Sequence, residues 1–157
     1  MTTSQAVVST VLCGALLIGL SAAGRAQDSP TPAEIAETRK NAEQGDAEAQ
    51  TRLGYLYDTG RGVPQDYSQA FLWYRRAADQ GDATAQFNLG MLYNNGLGVP
   101  KDPDQAIAWW RKAADQGDAG AQFNLGFLYA EGRGVPQNDF LAMSWFLIRR
   151  GRRLSGM

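Results

Sequence analysis

No histidine occurs anywhere in the chain, and its single cysteine, Cys13, lies near the start. The missing histidine removes serine or cysteine catalysis served by a histidine base. With so little Cys and no His, zinc sites built from those ligands are excluded as well. A calcium loop needs a DxDxDG-like run, and none is present. Basic charge is not in excess: fifteen Lys and Arg stand against sixteen Asp and Glu. A nucleic-acid footprint needs a basic stripe, and the one basic cluster is Arg149, Arg150, Arg152 and Arg153. Without those four the balance is eleven basic to sixteen acidic. The chain reads as non-enzymatic, with no cofactor, no metal and no nucleic-acid partner.

What the sequence does contain is a repeat. Ala83–Asp118 returns when shifted back by thirty-six residues, to Ala47–Asp82, with 22 of 36 positions identical. Shifted forward, its first eighteen residues match AGAQFNLGFLYAEGRGVP at 13 of 18 positions. Self-similarity at this period marks a solenoid, in which each unit buries its apolar face only against its neighbours. The units are 47–82, 83–118 and 119–150, the last with a degenerate end, followed by a basic tail at 151–157.

Residues 1–26 read as a leader. Ala6 to Ala23 is uncharged and mostly apolar, and Gly24-Arg25-Ala26 sets small residues three and one before a cut at Gln27. Cleavage there gives a periplasmic or secreted protein with no cysteine left to form a disulfide. The alternative is an uncleaved signal-anchor, since eighteen uncharged residues suffice to span a bilayer and MTTSQ carries no Lys or Arg. Only that form would be a membrane partner.

Residues 27–46 form a linker and a cap helix. Thr31-Pro32-Ala33-Glu34 is a capping box with proline at the first helical position, and the helix is expected to run to about Gln44. Its Glu37 and Thr38 stand where the units have Trp73 and Tyr74. That substitution makes a polar end that shields the first unit from water.

Punctuation divides each unit into two helices. Ala83 to about Asn94 carries Ala85, Leu89, Leu92 and Tyr93 at helical spacing before Gly96 stops it. Asp102 or Asp104 then caps a helix that sets Ala106, Trp109, Trp110, Ala113 and Ala114 on one broad face. Gly54, Gly90 and Gly126 sit inside first helices at a cost of about 1 kcal/mol relative to alanine, which demands a packing reason. Close approach of the partner helix beside Ala106 supplies it. Asp79, Asp82, Asp115 and Asp118 read as turn-and-cap devices. The Gly60-x-Gly62 turns are not phosphate loops, because no strand precedes them and proline follows. Trp73, Trp109, Trp110 and Trp145 read as core.

The run A-x-A-Q-x-N-L-G-x-L-Y-x-x-G-x-G-V-P, then A-x-x-W-[WY]-R-[RK]-A-A-D-Q-G-D, is similar to the Sel1-like repeat family, relatives of tetratricopeptide repeats. The likeness covers residues 47–148. It implies an all-α, right-handed α-solenoid of three helix-turn-helix units with an N-terminal cap helix. It further implies a protein-interaction scaffold, and exported bacterial members resemble envelope scaffolds or regulators of signalling and polysaccharide secretion. Some exported members are cysteine-rich and linked with hydrolysis, but this chain lacks those cysteines. The third unit departs from the pattern. Arg149 and Arg150 take the places of Ala113 and Ala114, and Gly151 that of Asp115, so its last helix is expected to fray after Ile148.

One pattern is left over. With Leu89 at zero and a hundred degrees per residue, Ala85, Leu92 and Tyr93 fall within about 60 degrees. Met91 then falls near ~200 and Phe87 near ~160, opposite the core. The other units put Tyr55 and Phe127 at the first of these places, and Thr51 and Phe123 at the second. An apolar column facing away from the core is informative, and this side of the first helices lines the groove of a solenoid. The candidate protein-binding residues are Tyr55, Met91 and Phe127, with Phe87 and Phe123, which packing between adjacent first helices would otherwise claim. Arg52, Asn88 and Asn124 at the edge suit a peptide backbone or carboxylate, unless the asparagines serve intramolecular bonds. A protein or peptide partner is the leading reading, and a carbohydrate- or cell-wall-binding envelope protein the alternative. The helix holding Phe140, Leu141, Met143, Trp145, Phe146, Leu147 and Ile148 is apolar almost all round, unlike a solenoid's polar end. Either a partner or a second copy forming a homodimer docks there, or the natural chain continues.

Overall fold

The computed structural model describes residues 29–154, and the leader with Cys13 lies outside them. Seven α-helices and no strands occur among the described residues. They are α1 (Pro32–Glu43), α2 (Ala47–Thr59), α3 (Tyr67–Asp79), α4 (Ala83–Asn95), α5 (Pro103–Asp115), α6 (Ala119–Glu131) and α7 (Asp139–Leu154). The main packing runs between sequence-consecutive helices, so the stack is quasi-one-dimensional. None of these helices is long and apolar enough to cross a membrane.

The helix starts are fixed by short acceptor side chains. Thr31 and Glu34 form the reciprocal box, with Glu34 accepting from the Thr31 backbone N–H at 2.7 Å. That hydrogen bond, helped by the Thr31 hydroxyl, holds the Glu34 carboxyl below its ordinary range. Asp46, Asp82 and Asp118 accept from Ala49, Ala85 and Ala121 N–H groups at 2.6, 2.6 and 2.8 Å. Asp102, rather than Asp104, caps α5. Each such cap contributes about 1 kcal/mol. Gly60, Gly96 and Gly132 end α2, α4 and α6 in the left-handed conformation that glycine enters without a Cβ penalty.

The core follows the repeat. Leu53, Leu89 and Leu125 are fully buried, and Tyr74 and Trp110 fill the space between the two helices of their units. A methyl group at Gly90 would stand 2.5 Å from the Trp110 indole nitrogen and 3.1 Å from the Ala106 carbonyl oxygen. The same position meets the Tyr74 ring at Gly54 and the Phe146 ring at Gly126. The helix-interior glycines therefore admit a partner side chain onto bare backbone. Trp73 and Trp109 are buried as well, whereas Trp145 is half-buried.

Two places differ from the sequence expectation. Thr38, read as part of a polar outer side, is buried beside Ile35 and Ala42, while Glu37 is exposed. The last helix does not stop at Ile148 but runs through Leu154, so the start of the 151–157 tail is helical. Arginine is a good helix former, and positive charge near a helix C-terminus is favourable against the macrodipole. Those two effects carry the backbone past Gly151.

Candidate functional site

A cleft of about 390 Å³ opens at the junction of the second and third units. From α4 it takes Met91 and Asn94, and from α5 Ile107 and Trp110. Helix α6 contributes Asn124, Phe127 and Leu128, and the flanking turns contribute Lys101 and Arg133. The floor is apolar and the two cations stand at exposed turn positions. No acidic side chain lines it, and neither Lys101 nor Arg133 has an ion-pair partner among the described residues. The cleft is therefore a mixed slot, apolar along Met91, Trp110 and Phe127 and polar along Asn94 and Asn124, with uncompensated positive charge at its edge.

Sequence differences between the units account for this opening. One junction earlier, the places of Pro103 and Ile107 hold Tyr67 and Phe71. Both of those rings pack against the core, and Phe71 meets Tyr93 edge-on at 5.5 Å. There the backbone at Gly98 closes onto the Tyr67 carbonyl, whereas a methyl at Gly134 would meet only the Ile107 Cδ1, at 3.3 Å. Two aromatic rings are thus replaced by smaller groups at the second junction. Trp110 is held in place, its Nε1–H donating to the Phe87 carbonyl at 3.1 Å.

The residues picked out from the column are divided among several places. Met91, Asn124 and Phe127 meet in the cleft, where the Asn124 amide lies 3.6 Å from the Met91 sulfur. Met91 also packs against the core, while Phe127 is exposed. Arg52 and Tyr55 line a separate cleft of about 280 Å³ beside Pro30 and Glu34, where Arg61 reaches the Tyr55 hydroxyl at 3.4 Å. Phe87, Asn88 and Phe123 line neither. The Phe87 ring lies over Gly120 and against the core, joining adjacent first helices. Phe123 is exposed, with its ring 6.1 Å from that of Phe146.

Lys101, Arg133, Asn94 and Ile107 did not stand out from the column. The signal for Lys101 was available, because Gln65 and Gln137 occupy its place in the other units. Arg133 carries no such signal, since Arg61 stands at its place in the first unit, and only the fold brings it beside Lys101's cleft. Among the described residues, no three acidic, Cys or His side chains are grouped to hold a metal. One carboxyl is shifted upward, that of Asp58, by burial beside Tyr74 and away from the cleft.

Comparison with known proteins agrees with this architecture. The Sel1 repeat matches at residues 47–82, 83–118 and 119–148. A search of curated proteins gives no match. The fold is similar to a Sel1 repeat protein from Oxalobacter formigenes, with 38% identity and TM-score 0.67 over 77% of this chain and 46% of that one. It is also similar to c5321, a protective antigen of uropathogenic Escherichia coli with an SLR fold, at 32% identity and TM-score 0.60 over 75% and 33% of the two chains. Helicobacter pylori cysteine rich protein B follows at 28% identity and TM-score 0.53, over 55% and 65%. The chain thus spans between a third and two thirds of the length of these structures. Sel1 repeat proteins are generally protein-interaction scaffolds and typically non-catalytic. Three units in register, with their caps, glycines and interlocked cores, make this chain a member of the Sel1 repeat family.

Proposed function

We propose that the chain is a non-enzymatic scaffold of the cell envelope that holds a protein or peptide segment in the cleft between its second and third units. The observation that carries this reading is the slot whose apolar wall is Met91, Phe127 and Trp110, with Asn94 and Asn124 beside it and Lys101 and Arg133 uncompensated at its edge. Such a slot accepts one large apolar side chain of an extended segment, with a carboxylate alongside to meet the cations. Export by the 1–26 leader places the protein in the periplasm or outside the cell. The protective-antigen description of c5321 is consistent with a location that antibodies reach. A second copy of the chain is a further partner in this reading, at α7.

The carbohydrate-binding alternative needs exposed aromatic faces on which sugars stack. Trp73, Trp109 and Trp110 are buried and Trp145 is half-buried, so the indole rings offer no open stacking face; the exposed rings of Tyr55, Phe123, Phe127 and Phe140 keep this alternative for the test to decide. The test is a retention assay on the immobilised protein, with short peptides pairing an aromatic residue with Asp or Glu against glycans and peptidoglycan. Retention of the peptides, lost when Lys101 and Arg133 become glutamate, is expected. Retention of peptidoglycan with no peptide bound would overturn it. Export is tested by sequencing the N-terminus of the protein recovered from cells, which is expected to begin at Gln27.

A further inference from the structure

Helix α7 presents a stripe of large apolar side chains to solvent: Phe140 is 79% exposed, Met143 61% and Leu147 58%. Spacings of three and four residues put them on one side of the helix, and Leu141 and Phe146 widen the strip. The preceding units show what that side of a second helix meets in the stack. Thirty-six residues before Met143 stands Ile107, only 5% exposed and in reach of the Gly134 turn of the next unit. Phe71, one unit earlier still, packs on Tyr93. A following unit therefore covers the place of Met143.

It does not cover the places on either side. The counterparts of Phe140 are Ser68 and Asp104, and those of Leu147 are Arg75 and Arg111. All four are polar and exposed although another unit follows them. Phe140 and Leu147 are thus apolar at positions that the next repeat leaves in water. The occupant of this strip covers more of α7 than a repeat would.

Resting on the second-copy reading above and giving it a geometry, we propose that the occupant is α7 of a second copy, packed antiparallel. The argument is charge complementarity along the helix. Exposed Asp139 begins α7, exposed Glu131 ends α6 just before the turn that leads into it, and Arg149, Arg150, Arg152 and Arg153 occupy the end of α7. An antiparallel pair sets each basic end beside the acidic start of its mate, whereas a parallel pair would oppose arginines to arginines. The stripe is then self-complementary about its midpoint, Met143–Ser144. That pairing gives an isologous two-fold contact that buries both stripes and closes the assembly at two chains.

The test uses the full chain with Cys13→Ser, so that introduced cysteines are the sole thiols. Light scattering should give twice the 17.1 kDa chain mass, less any cleaved leaders. Met143→Glu and Phe140→Glu should each give a monomer with unchanged circular dichroism. Orientation is read by oxidation. Met143→Cys should crosslink to itself, and Phe140→Cys should crosslink to Leu147→Cys in a mixed sample. Phe140→Cys alone should not, because antiparallel copies of position 140 lie ~10 Å apart along the axis, beyond disulfide reach. Self-crosslinking of Phe140→Cys would overturn the antiparallel arrangement. A monomer at the highest soluble concentration, a dimer that survives Met143→Glu, or a monomer that binds anionic vesicles through this stripe would overturn the proposal as a whole.

Discussion

The Gln116 side-chain amide donates to the Gln86 side-chain oxygen at 2.9 Å, and Gln86 in turn donates to the Ala78 carbonyl at 3.2 Å. The link recurs along the stack. Gln80 donates to Gln50 at 2.8 Å and Gln50 to the Ala42 carbonyl at 3.0 Å, while Gln122 reaches the Ala114 carbonyl at 3.1 Å. Each buried glutamine thus ties the first helix of one unit to the end of the preceding helix. In the third unit the place of Gln116 is Arg152, so the repeated Gln–Gln pair has no counterpart there.

Removing that tie should be costly. Gln86→Ala leaves the Gln116 amide without its side-chain acceptor and takes a donor from Ala78, and a cost of about 1–3 kcal/mol is expected. Gln116→Ala removes an exposed side chain and should cost less. Urea denaturation of the two variants checks the order, and equal stability would mean the buried tie contributes nothing.

Gly90→Ala sets two effects against each other. Alanine raises helix propensity by about 1 kcal/mol. The added methyl, however, would meet a buried indole and a backbone carbonyl, and overpacking typically costs about 1–3 kcal/mol. Trp110 is fully packed and hydrogen-bonded, so the ring has little room to retreat and the net effect should be destabilising. A melting temperature above that of the parent would contradict this reading.

The helices, their caps and the buried face were legible in the sequence because they rest on local rules that a thirty-six-residue period repeats. Asp82 and Asp118 cap, Gly96 stops and Leu89 is buried for reasons contained within a few neighbouring residues. The site was less legible. An angular projection of α4 places Met91 opposite the core, yet Met91 packs against the core as well, because the neighbouring helix α6 brings Asn124 up to its sulfur. Phe87 is drawn inward by Gly120, a position where the second unit has Thr84 and the first has Glu48. The cleft arises from a contrast between junctions, Pro103 for Tyr67 and Ile107 for Phe71. No single unit reveals that contrast.

Burial beside Tyr74 raises the Asp58 carboxyl above its ordinary value, despite the partly opposing Tyr74 hydroxyl contact at 3.4 Å. A carboxyl raised on folding favours the native state below its unfolded value, and that advantage is lost as pH rises through the folded value. At neutral pH the charged form is a burden, so Asp58→Asn should stabilise the protein. The gain should stay below about 1 kcal/mol, because water screens a half-exposed group. It should shrink as pH falls through the carboxylate range. Asn94 already stands at the same place in the second unit. Unfolding curves at neutral and acidic pH decide, and a gain that grows on acidification would reverse the sign.

The cleft prediction separates binding from folding. Phe127→Ser and Lys101→Glu alter exposed positions, and surface changes usually stay within about 0.5 kcal/mol. Leu89→Ala truncates a fully buried side chain and should cost roughly 2–5 kcal/mol. Met91→Glu should fall between these, since Met91 is both half-buried and cleft-lining. Binding should follow another order. Lys101→Glu turns an attraction for a carboxylate into a repulsion, and Phe127→Ser removes part of the apolar wall. Both should weaken an acidic, aromatic peptide about tenfold, equivalent to about 1.4 kcal/mol. The Lys101 contribution should fade with added salt while that of Phe127 persists, because ions screen exposed charges and leave apolar contact intact. Fluorescence titration at two salt concentrations reads both effects. Should the two variants bind the peptide as the parent does, the cleft is not where the partner sits.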